Sequence, residues 1–312
     1  MKRKLITFLL TFCLLCGCAA AGSAQPVPEN AVVFTDDLGR TVTVNEPERV
    51  AALLGSFAQI WMLAGGEICA TADDAWEDLA LDLSEETVNL GRTKSLSLEQ
   101  LLAAEPDLVL ASINTQQNVQ WQETLDAAKI PTAYFDVSDF EDYLRVLGIC
   151  TDITGRKDLY ETYGTDVQKQ IEAVIAQSQK RLSENEAPTV LYMTASATNV
   201  YVKNSKNNVL GEMLSALGCI NIADSDAMLL ENLSLEHILV TDPDFIFFSQ
   251  RGDDTEGMQQ YIKTELMEHP VWSQLSAVKN DRVYIMDKNL YSLKPNHRWG
   301  EAYELLEEIL NG

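Results

Sequence analysis

The sequence predicts an α/β protein of two similar lobes, each a parallel-sheet sandwich with flanking helices, joined by one long α-helix with a ligand cleft between the lobes. Three observations carry this prediction. Apolar strand-like runs alternate with helical patterns, one segment occurs twice, and a long stretch without proline separates the two halves. The length of 312 residues allows each lobe a substantial core.

The repeated segment covers residues 97–112 and 234–249, which align without a gap. Each copy starts with a serine able to cap a short helix, contains a proline that ends the helix, and finishes in an apolar run typical of a buried parallel strand. The copies lie a whole domain length apart, well beyond the roughly 20–50 residues of a solenoid repeat. The sequence therefore predicts two related lobes.

The N-terminal half alternates short strands with helices. A helix over 57–64 is expected to start from a capping box of Ser56 and Gln59 and to stop at Gly65. Asp73, Asp74 and Trp76 are expected in an acidic loop, and a helical stretch over 119–128 follows the first repeat copy. Outside the repeat, strands are predicted at 42–44, 50–54, 68–71 and 132–135.

The middle of the chain, residues 156–183, lacks proline and places apolar residues at helical spacing. A single helix of that length would span about 40 Å and permits only limited closure of the lobes. The C-terminal half then resumes the strand and helix pattern. It is expected to contain strands at 190–193 and 283–286 and helices at 208–217 and 299–310.

The first residues resemble a bacterial lipoprotein signal. Three cations at 2–4 precede an apolar run over 5–15 that is too short to span a bilayer, and Leu15-Cys16-Gly17-Cys18 resembles a lipobox. Cys18 is therefore the predicted lipidation site. An ordinary cleaved signal with its cleavage region at 19–21 is the alternative.

We expect the protein on the outer face of the cytoplasmic membrane, extracellular or periplasmic, held there by its lipid. The net charge of −24 disfavours binding to nucleic acid or anionic headgroups.

The sequence predicts a division of the chain into five parts. They are a signal peptide at 1–18, a flexible tether at 19–30, an N-terminal α/β lobe at 31–154, an interlobe helix at 155–185 and a C-terminal α/β lobe at 186–312.

The cysteines and histidines favour neither a disulfide framework nor a metal site. Cys69, Cys150 and Cys219 remain once the leader is set aside, an odd number that favours free thiols over a disulfide. The three histidines, at 237, 269 and 297, are scattered without metal-ligand spacing. We expect no resident metal and no cofactor.

The cleft is expected at the loops that follow the strands, where ligands bind in α/β sheets. Arg92, Lys203 and Arg251 would form a local positive site for an anionic chelate, with Trp76 and tyrosines against planar parts of the ligand. Each is also explained as an ordinary surface residue. The candidates in lobe order are Ser56, Phe57, Asp74, Trp76, Arg92, Asn114 and Thr115, then Tyr192, Met193, Tyr201, Lys203, Met228, Gln250 and Arg251.

From about Val33 onward the chain resembles the substrate-binding lipoproteins of ABC importers for ferric siderophores, cobalamin and haem, a periplasmic-binding-protein type with a single long interlobe helix. The order of several motifs carries the resemblance. They are residues 34–40, the two repeat copies, residues 217–223, residues 270–284 and the ending 294–303.

The resemblance implies a monomeric receptor, not an enzyme, that delivers an iron–siderophore complex to a permease dimer. It implies that Glu99 and Glu236 dock into permease arginines, although the helix dipole also favours an acid in the first turn of a helix. Arg298, in the family-like ending, is a further ligand candidate, with a salt bridge as the alternative. Iron would be bound only within the chelate.

Other functions stay open from the sequence. The same receptor role for cobalamin or haem is the nearest alternative, with haem held by a residue such as Tyr192, Met193 or Met228. Sensing or adhesion by the same pair of lobes is a second. A lipid-anchored hydrolase is remote, because the chain has no Gly-x-Ser-x-Gly elbow, no His-Glu-x-x-His motif and no phosphate-binding glycine loop.

Overall fold

The computed structural model describes residue 28, residues 30–231 and residues 233–312. The predicted signal peptide, Cys18 and most of the predicted tether therefore lie outside the described residues. In the described part of the chain, none of the helices combines the length and the apolar character that crossing a bilayer requires.

The N-terminal lobe, called lobe 1 below, is built on a five-stranded parallel sheet with the strand order β5-β4-β3-β6-β7, beside an antiparallel β1-β2 hairpin. Its strands are β1 Val32–Thr35, β2 Thr41–Val44, β3 Val50–Ala52, β4 Ile68–Thr71, β5 Val88–Asn89, β6 Leu108–Ser112 and β7 Thr132–Phe135. Its helices are α1 Gly55–Leu63, α2 Asp74–Glu77, α3 Leu98–Ala103, α4 Gln116–Gln120, α5 Gln122–Ala127 and α6 Phe140–Thr154.

The connector is helical from Lys157 to Glu184 but contains a π-turn. Helix α6 ends at Gly155, which takes a left-handed conformation with φ 72°. The connector then runs through α7 Lys157–Tyr160, the π-turn Glu161–Thr165 and α8 Asp166–Glu184. The prediction of one long helix is thus confirmed, with an irregularity that the sequence did not indicate.

Close packing accompanies the π-turn. A Cβ on Gly164 would lie 3.0 Å from Leu144 Cδ2, so this turn approaches α6 at a distance that favours glycine. The Tyr143 hydroxyl donates to the Tyr163 carbonyl at 2.9 Å. A side chain of lobe 1 thereby binds a backbone group within the π-turn.

The C-terminal lobe, called lobe 2 below, also has a parallel sheet, with the strand order β10-β8-β11-β12. In addition, β9 pairs antiparallel to β8. Its strands are β8 Thr189–Ala195, β9 Val200–Lys203, β10 Ile220–Asn221, β11 Phe245–Gln250 and β12 Val283–Ile285. Its helices are α9 Val209–Ala216, α10 Ala227–Glu231, α11 Leu235–Thr241, α12 Thr255–Tyr261, α13 Ser276–Lys279, α14 Lys288–Tyr291 and α15 Trp299–Asn311. The β8-β9 pair departs from the purely parallel sheet predicted for this lobe.

The two repeat copies fold alike, as α3-β6 and α11-β11. Ser97 Oγ accepts a bond from the Gln100 amide at 3.2 Å, and Ser234 Oγ accepts from the His237 amide at 3.3 Å. Both serines therefore cap their helices as predicted.

The aspartate after each proline also has the same role in both lobes. Asp107 accepts from the Glu48 and Arg49 amides at 2.8 and 2.9 Å, and Asp244 accepts from the Thr189 amide at 2.8 Å. Each aspartate thus ties the repeat to the entry of its neighbouring strand, β3 or β8. The residue two positions earlier is left-handed in both copies, with φ 48° at Glu105 and 43° at Asp242.

The start of α1 differs from the prediction. The helix begins at Gly55 rather than at Phe57, and Ser56 makes no capping bond. Asp74 takes that role, because its Oδ1 accepts the Gly55 amide at 2.8 Å. The predicted acidic loop is the short helix α2, and a Cβ on Gly55 would lie 2.6 Å from its Ala75 nitrogen.

One apolar cluster extends through both lobes and the connector. It includes Phe135 of lobe 1, Val174 of α8, and Phe247 and Trp299 of lobe 2.

Cys69, Cys150 and Cys219 are free. Burial raises the pKa of the Cys150 and Cys219 thiols to about 12.

Candidate ligand cleft

The cleft lies at the carboxyl ends of the parallel strands. In each sheet the order in which the parallel strands are added reverses, between β3 and β6 in lobe 1 and between β8 and β11 in lobe 2. Such switch points leave a crevice in open α/β sheets. Two neighbouring cavities of about 640 and 280 Å³ occupy this region, and both are lined by Gln250, Arg251 and residues 292–294.

The larger cavity has a mixed charge. Its lining cations are Arg92, Lys94, Arg251, Lys288 and Lys294, and its lining carboxylates are Asp73, Asp74, Glu77, Asp78 and Asp253. Lys288 Nζ lies 2.7 Å from Asp78 Oδ1 of lobe 1 and 3.0 Å from Asp253 Oδ1 of lobe 2. This lysine is therefore already neutralised by an ion pair that bridges the lobes.

Asp74 is not a free anion either. Burial raises the pKa of its carboxyl to about 6, against the lowering effect of the Gly55 amide, and Asp78 and Asp73 raise it further. The nearby Lys294 ammonium lowers it. The Asp74 carboxylate thus serves mainly to cap α1.

The smaller cavity is cationic. Lys203, Arg251 and Lys294 line it, and no carboxylate stands among its lining residues in the described part of the chain. Its remaining polar lining is neutral, from Asn114, Ser138, Tyr192, Thr194, Asn207, Asn208, Ser249, Gln250, Tyr291 and Ser292. The Tyr192 hydroxyl and Ser249 Oγ lie 2.8 Å apart, so these groups already bond each other.

Five of the cleft cations lack a carboxylate partner within 4.0 Å among the described residues. They are Arg92, Lys94, Lys203, Arg251 and Lys294. In a protein with a net charge of −24, unpaired cations gathered in one cleft form a local site for an anion. Guanidinium and ammonium groups of this kind bind carboxylate oxygens strongly.

Eight of the predicted ligand residues line the two cavities, and two others contact cations that line them. Phe57 is fully buried, with its ring centroid 5.3 Å below the Lys294 ammonium. Tyr201 is 46% exposed, and its ring lies 5.4 Å from the Arg251 guanidinium. The eight that line the cavities are Ser56, Asp74, Arg92, Asn114, Tyr192, Lys203, Gln250 and Arg251.

Trp76, Met228 and Arg298 line neither cavity. Helix α2 turns its acidic face to the cleft, which leaves Trp76 on another side. Met228 is 75% exposed on α10. Arg298 forms a bidentate pair with Glu301, at 2.6 and 2.8 Å, so the salt-bridge alternative describes its present contacts.

Sequence reasoning missed three cavity lysines, Lys94, Lys288 and Lys294. Lys94 lies two residues after the predicted Arg92, so the loop after β5 already carried a signal. Lys294 opens the family-like ending, in which Arg298 is the predicted ligand residue. Lys288 had no local signal, because its partner Asp78 is distant in sequence.

Glu99 and Glu236 are exposed in the first turns of the equivalent helices α3 and α11. Their docking role stays a prediction.

His237, next to Glu236, pairs with Asp226 at 2.7 Å. Among the described residues, no cluster of His, Cys, Asp and Glu is arranged to hold a metal ion.

Residues 50–290 match the family described as "Periplasmic binding protein". The chain belongs to this family. Periplasmic binding proteins of this family bind substrates and are not enzymes, so the hydrolase alternative is excluded.

Individual relatives of this periplasmic binding protein agree with the assignment. It is 25% identical to the Fe(3+)-citrate-binding protein YfmC of Bacillus subtilis, over 99% of this chain and 98% of the relative. It is 24% identical to the putative ABC transporter substrate-binding lipoprotein YhfQ of the same organism, over 94% and 93%. Among solved structures, Staphylococcus aureus SirA complexed with staphyloferrin B has the same fold, with a TM-score of 0.70 at 20% identity, covering 90% and 98% of the two chains.

Proposed function

We propose that this periplasmic binding protein is the extracytoplasmic, lipid-anchored receptor of an ABC importer and captures a ferric chelate that carries anionic groups, such as an iron–siderophore complex. The observation that carries the proposal is the cationic smaller cavity, with Lys203, Arg251 and Lys294 facing a space lined by no carboxylate of the described residues. The names of YfmC, a ferric citrate binder, and of YhfQ, an ABC lipoprotein, support it.

Charge favours an anionic ferric chelate among the candidate ligands. A ligand that replaces water around three cations in a partly enclosed space must supply negative oxygens, since unpaired buried charge is costly. Carboxylates and catecholates of a ferric chelate supply them. Cobalamin and haem remain the alternatives within the same receptor role.

Delivery is the second part of the proposal. Glu99 and Glu236 occupy the same position in two equivalent capped helices, one on each lobe. Two carboxylates on separate lobes can pair with two arginines of a permease dimer and so fix the orientation of the receptor. We further propose that lipid on Cys18 keeps the receptor at the membrane as a monomer.

Ligand binding is tested with the soluble form that starts after Cys18. Quenching of tryptophan fluorescence is measured with ferric citrate, ferric catecholates, ferric hydroxamates, haem and cobalamin. We expect an anionic ferric chelate to bind, and Lys203→Met to weaken it about tenfold or more, the value of one charge-assisted bond. Lys263→Met is the matched control, because Lys263 is exposed and lines neither cavity.

Three outcomes would contradict the proposal at different levels. Binding of haem or cobalamin alone would refute the chelate and leave the receptor role. Equal affinity in the Lys203 and Lys263 variants would refute the cationic cavity as the site. Absence of binding across the whole panel would refute the proposed ligand class.

Docking is tested separately by uptake into vesicles that carry the partner permease. Glu99→Lys combined with Glu236→Lys is expected to abolish uptake while chelate affinity stays unchanged. Exposed glutamates elsewhere on the two lobes, Glu123 and Glu256, provide the matched charge reversals. Full uptake by the Glu99 and Glu236 variant would refute docking through these residues.

A further inference from the structure

The segment of residues 294–299, called the strap below, belongs to lobe 2 in sequence but is bound to lobe 1. Asn296 is fully buried, and its Nδ2 donates to the Ser56 carbonyl at 2.9 Å and to Gln59 Oε1 at 2.7 Å. Both acceptors lie in α1, beside the cleft. Asn296 is therefore a clamp between the lobes.

The other end of the strap faces the ligand. Lys294 lines both cavities and holds its ammonium 5.3 Å from the ring centroid of Phe57, again in α1. Among the described residues it has no carboxylate within 4.0 Å. A partly buried ammonium that lies over an aromatic ring, with no carboxylate in direct contact, is attracted to an incoming anion.

The backbone between these ends is constrained. Asn296 takes φ 53°, in the left-handed region, directly after Pro295. Three buried polar atoms of the strap, Asn296 Oδ1, His297 Nδ1 and Trp299 Nε1, have no hydrogen-bond partner in the described part of the chain. A movement of the strap therefore breaks no bond at these three atoms, and new bonds can form there.

We propose that Lys294 contacts the anionic group of the bound ligand and that the strap transmits this contact to lobe 1 through the Asn296 clamp. When the ligand draws the ammonium away from Phe57, residues 294–296 move with it and Asn296 shifts against Ser56 and Gln59. Ligand occupancy thereby changes the angle between the lobes. This inference rests on the proposed function, because an anionic ligand is needed to engage Lys294.

The test combines ferric citrate titration with hydrogen–deuterium exchange of the strap and of residues 55–60. In the wild-type protein, ferric citrate is expected to change exchange in both segments. Lys294→Met is expected to weaken binding about tenfold and to abolish the exchange change in the strap at saturating ligand. Lys263→Met again serves as the charge-matched control.

The clamp is tested without ligand. Asn296→Gly removes the amide and keeps a residue suited to φ 53°. It is expected to speed exchange of residues 55–60 by about fivefold or more, because two hydrogen bonds to α1 are lost and each contributes about 1 kcal/mol. Asp281→Gly is the control, because Asp281 is exposed and also left-handed, with φ 56°. Unchanged exchange in the Asn296 variant would overturn the clamp whatever the ligand.

The two proposals fail in distinguishable ways. Binding of ferric citrate that protects the cleft loops but leaves strap exchange unchanged would overturn this inference and preserve the proposed function. Faster exchange in Asn296→Gly, without binding of any ferric chelate to the wild-type protein, would preserve the clamp but overturn both the proposed ligand and its coupling through Lys294.

Discussion

Removal of the Glu307 carboxylate is expected to destabilise the protein strongly, because it would strand a buried arginine. Arg181 on α8 and Glu307 on α15 form a bidentate pair, at 3.0 and 3.1 Å, with side chains only 10% and 2% exposed. The Arg181 guanidinium also donates to the Leu217 carbonyl at 3.1 Å. The pair thus joins the connector to the end of α9 and to the C-terminal helix.

The magnitude follows from burial. Breaking a buried ion pair by removing one partner costs about 3–5 kcal/mol, because the remaining charge has lost its compensation. Glu307→Ala should lower the free energy of unfolding by this amount. Glu304→Ala, one turn earlier on α15, is expected to cost less than about 0.5 kcal/mol, since Glu304 is exposed and accepts a single bond from Gln170 at 2.8 Å.

Urea unfolding followed by circular dichroism measures both variants. A third protein, Arg181→Met with Glu307→Leu, replaces both charges by apolar groups and should recover most of the loss, because no uncompensated charge remains. Equal stability of the Glu307 and Glu304 variants would refute the reasoning. So would a double variant as unstable as Glu307→Ala.

Three further predictions concern the cleft wall and the membrane anchor. Gly55→Ala should lower the free energy of unfolding by about 1–3 kcal/mol, because its Cβ would lie 2.6 Å from the Ala75 nitrogen; an unchanged urea midpoint would contradict this packing. Burial raises the pKa of Asp74 to about 6 from 3.8, so its charge destabilises the folded protein above pH 6, and this destabilisation fades as pH falls towards 4. Asp74→Asn keeps an acceptor for Gly55 and should therefore stabilise the protein by up to about 3 kcal/mol at pH 7.5 but not at pH 4, as urea titrations at both values would show; a gain independent of pH would speak against the buried charge. Cys18→Ser should prevent incorporation of labelled palmitate and release the protein from membranes, and retention with label would locate the anchor elsewhere.

Local sequence signals predicted the repeated parts of the fold well. Ser97 and Ser234 cap their helices through bonds to residues three positions later, and a proline ends each helix, so these elements depend on near neighbours in the chain. The apolar runs after them became the central strands β6 and β11 for the same reason. The strand ends also pointed to Ser56, Arg92 and Arg251, which line the larger cavity, and their contact with a ligand stays a prediction.

The contacts that the sequence did not predict mostly join residues that are distant along the chain. Asp74 replaced Ser56 as the cap of α1 across 19 positions, and Lys288 meets Asp78 across 210. Arg298 lies outside both cavities, and its guanidinium pairs with Glu301, only three residues away. Contacts of both kinds are decided by side-chain geometry, which a pattern of residue types does not specify.

The π-turn at Glu161–Thr165 affects how lobe 2 is rotated about the axis of the connector. Each residue of an α-helix advances the chain by about 100° around the helix axis, so a turn that holds one extra residue offsets everything after it by that angle. Deleting one residue there would restore a regular α-helix and rotate lobe 2 about the connector axis relative to lobe 1. The shared cavity that Arg92 of lobe 1 and Arg251 of lobe 2 both line therefore depends on the number of residues in this turn.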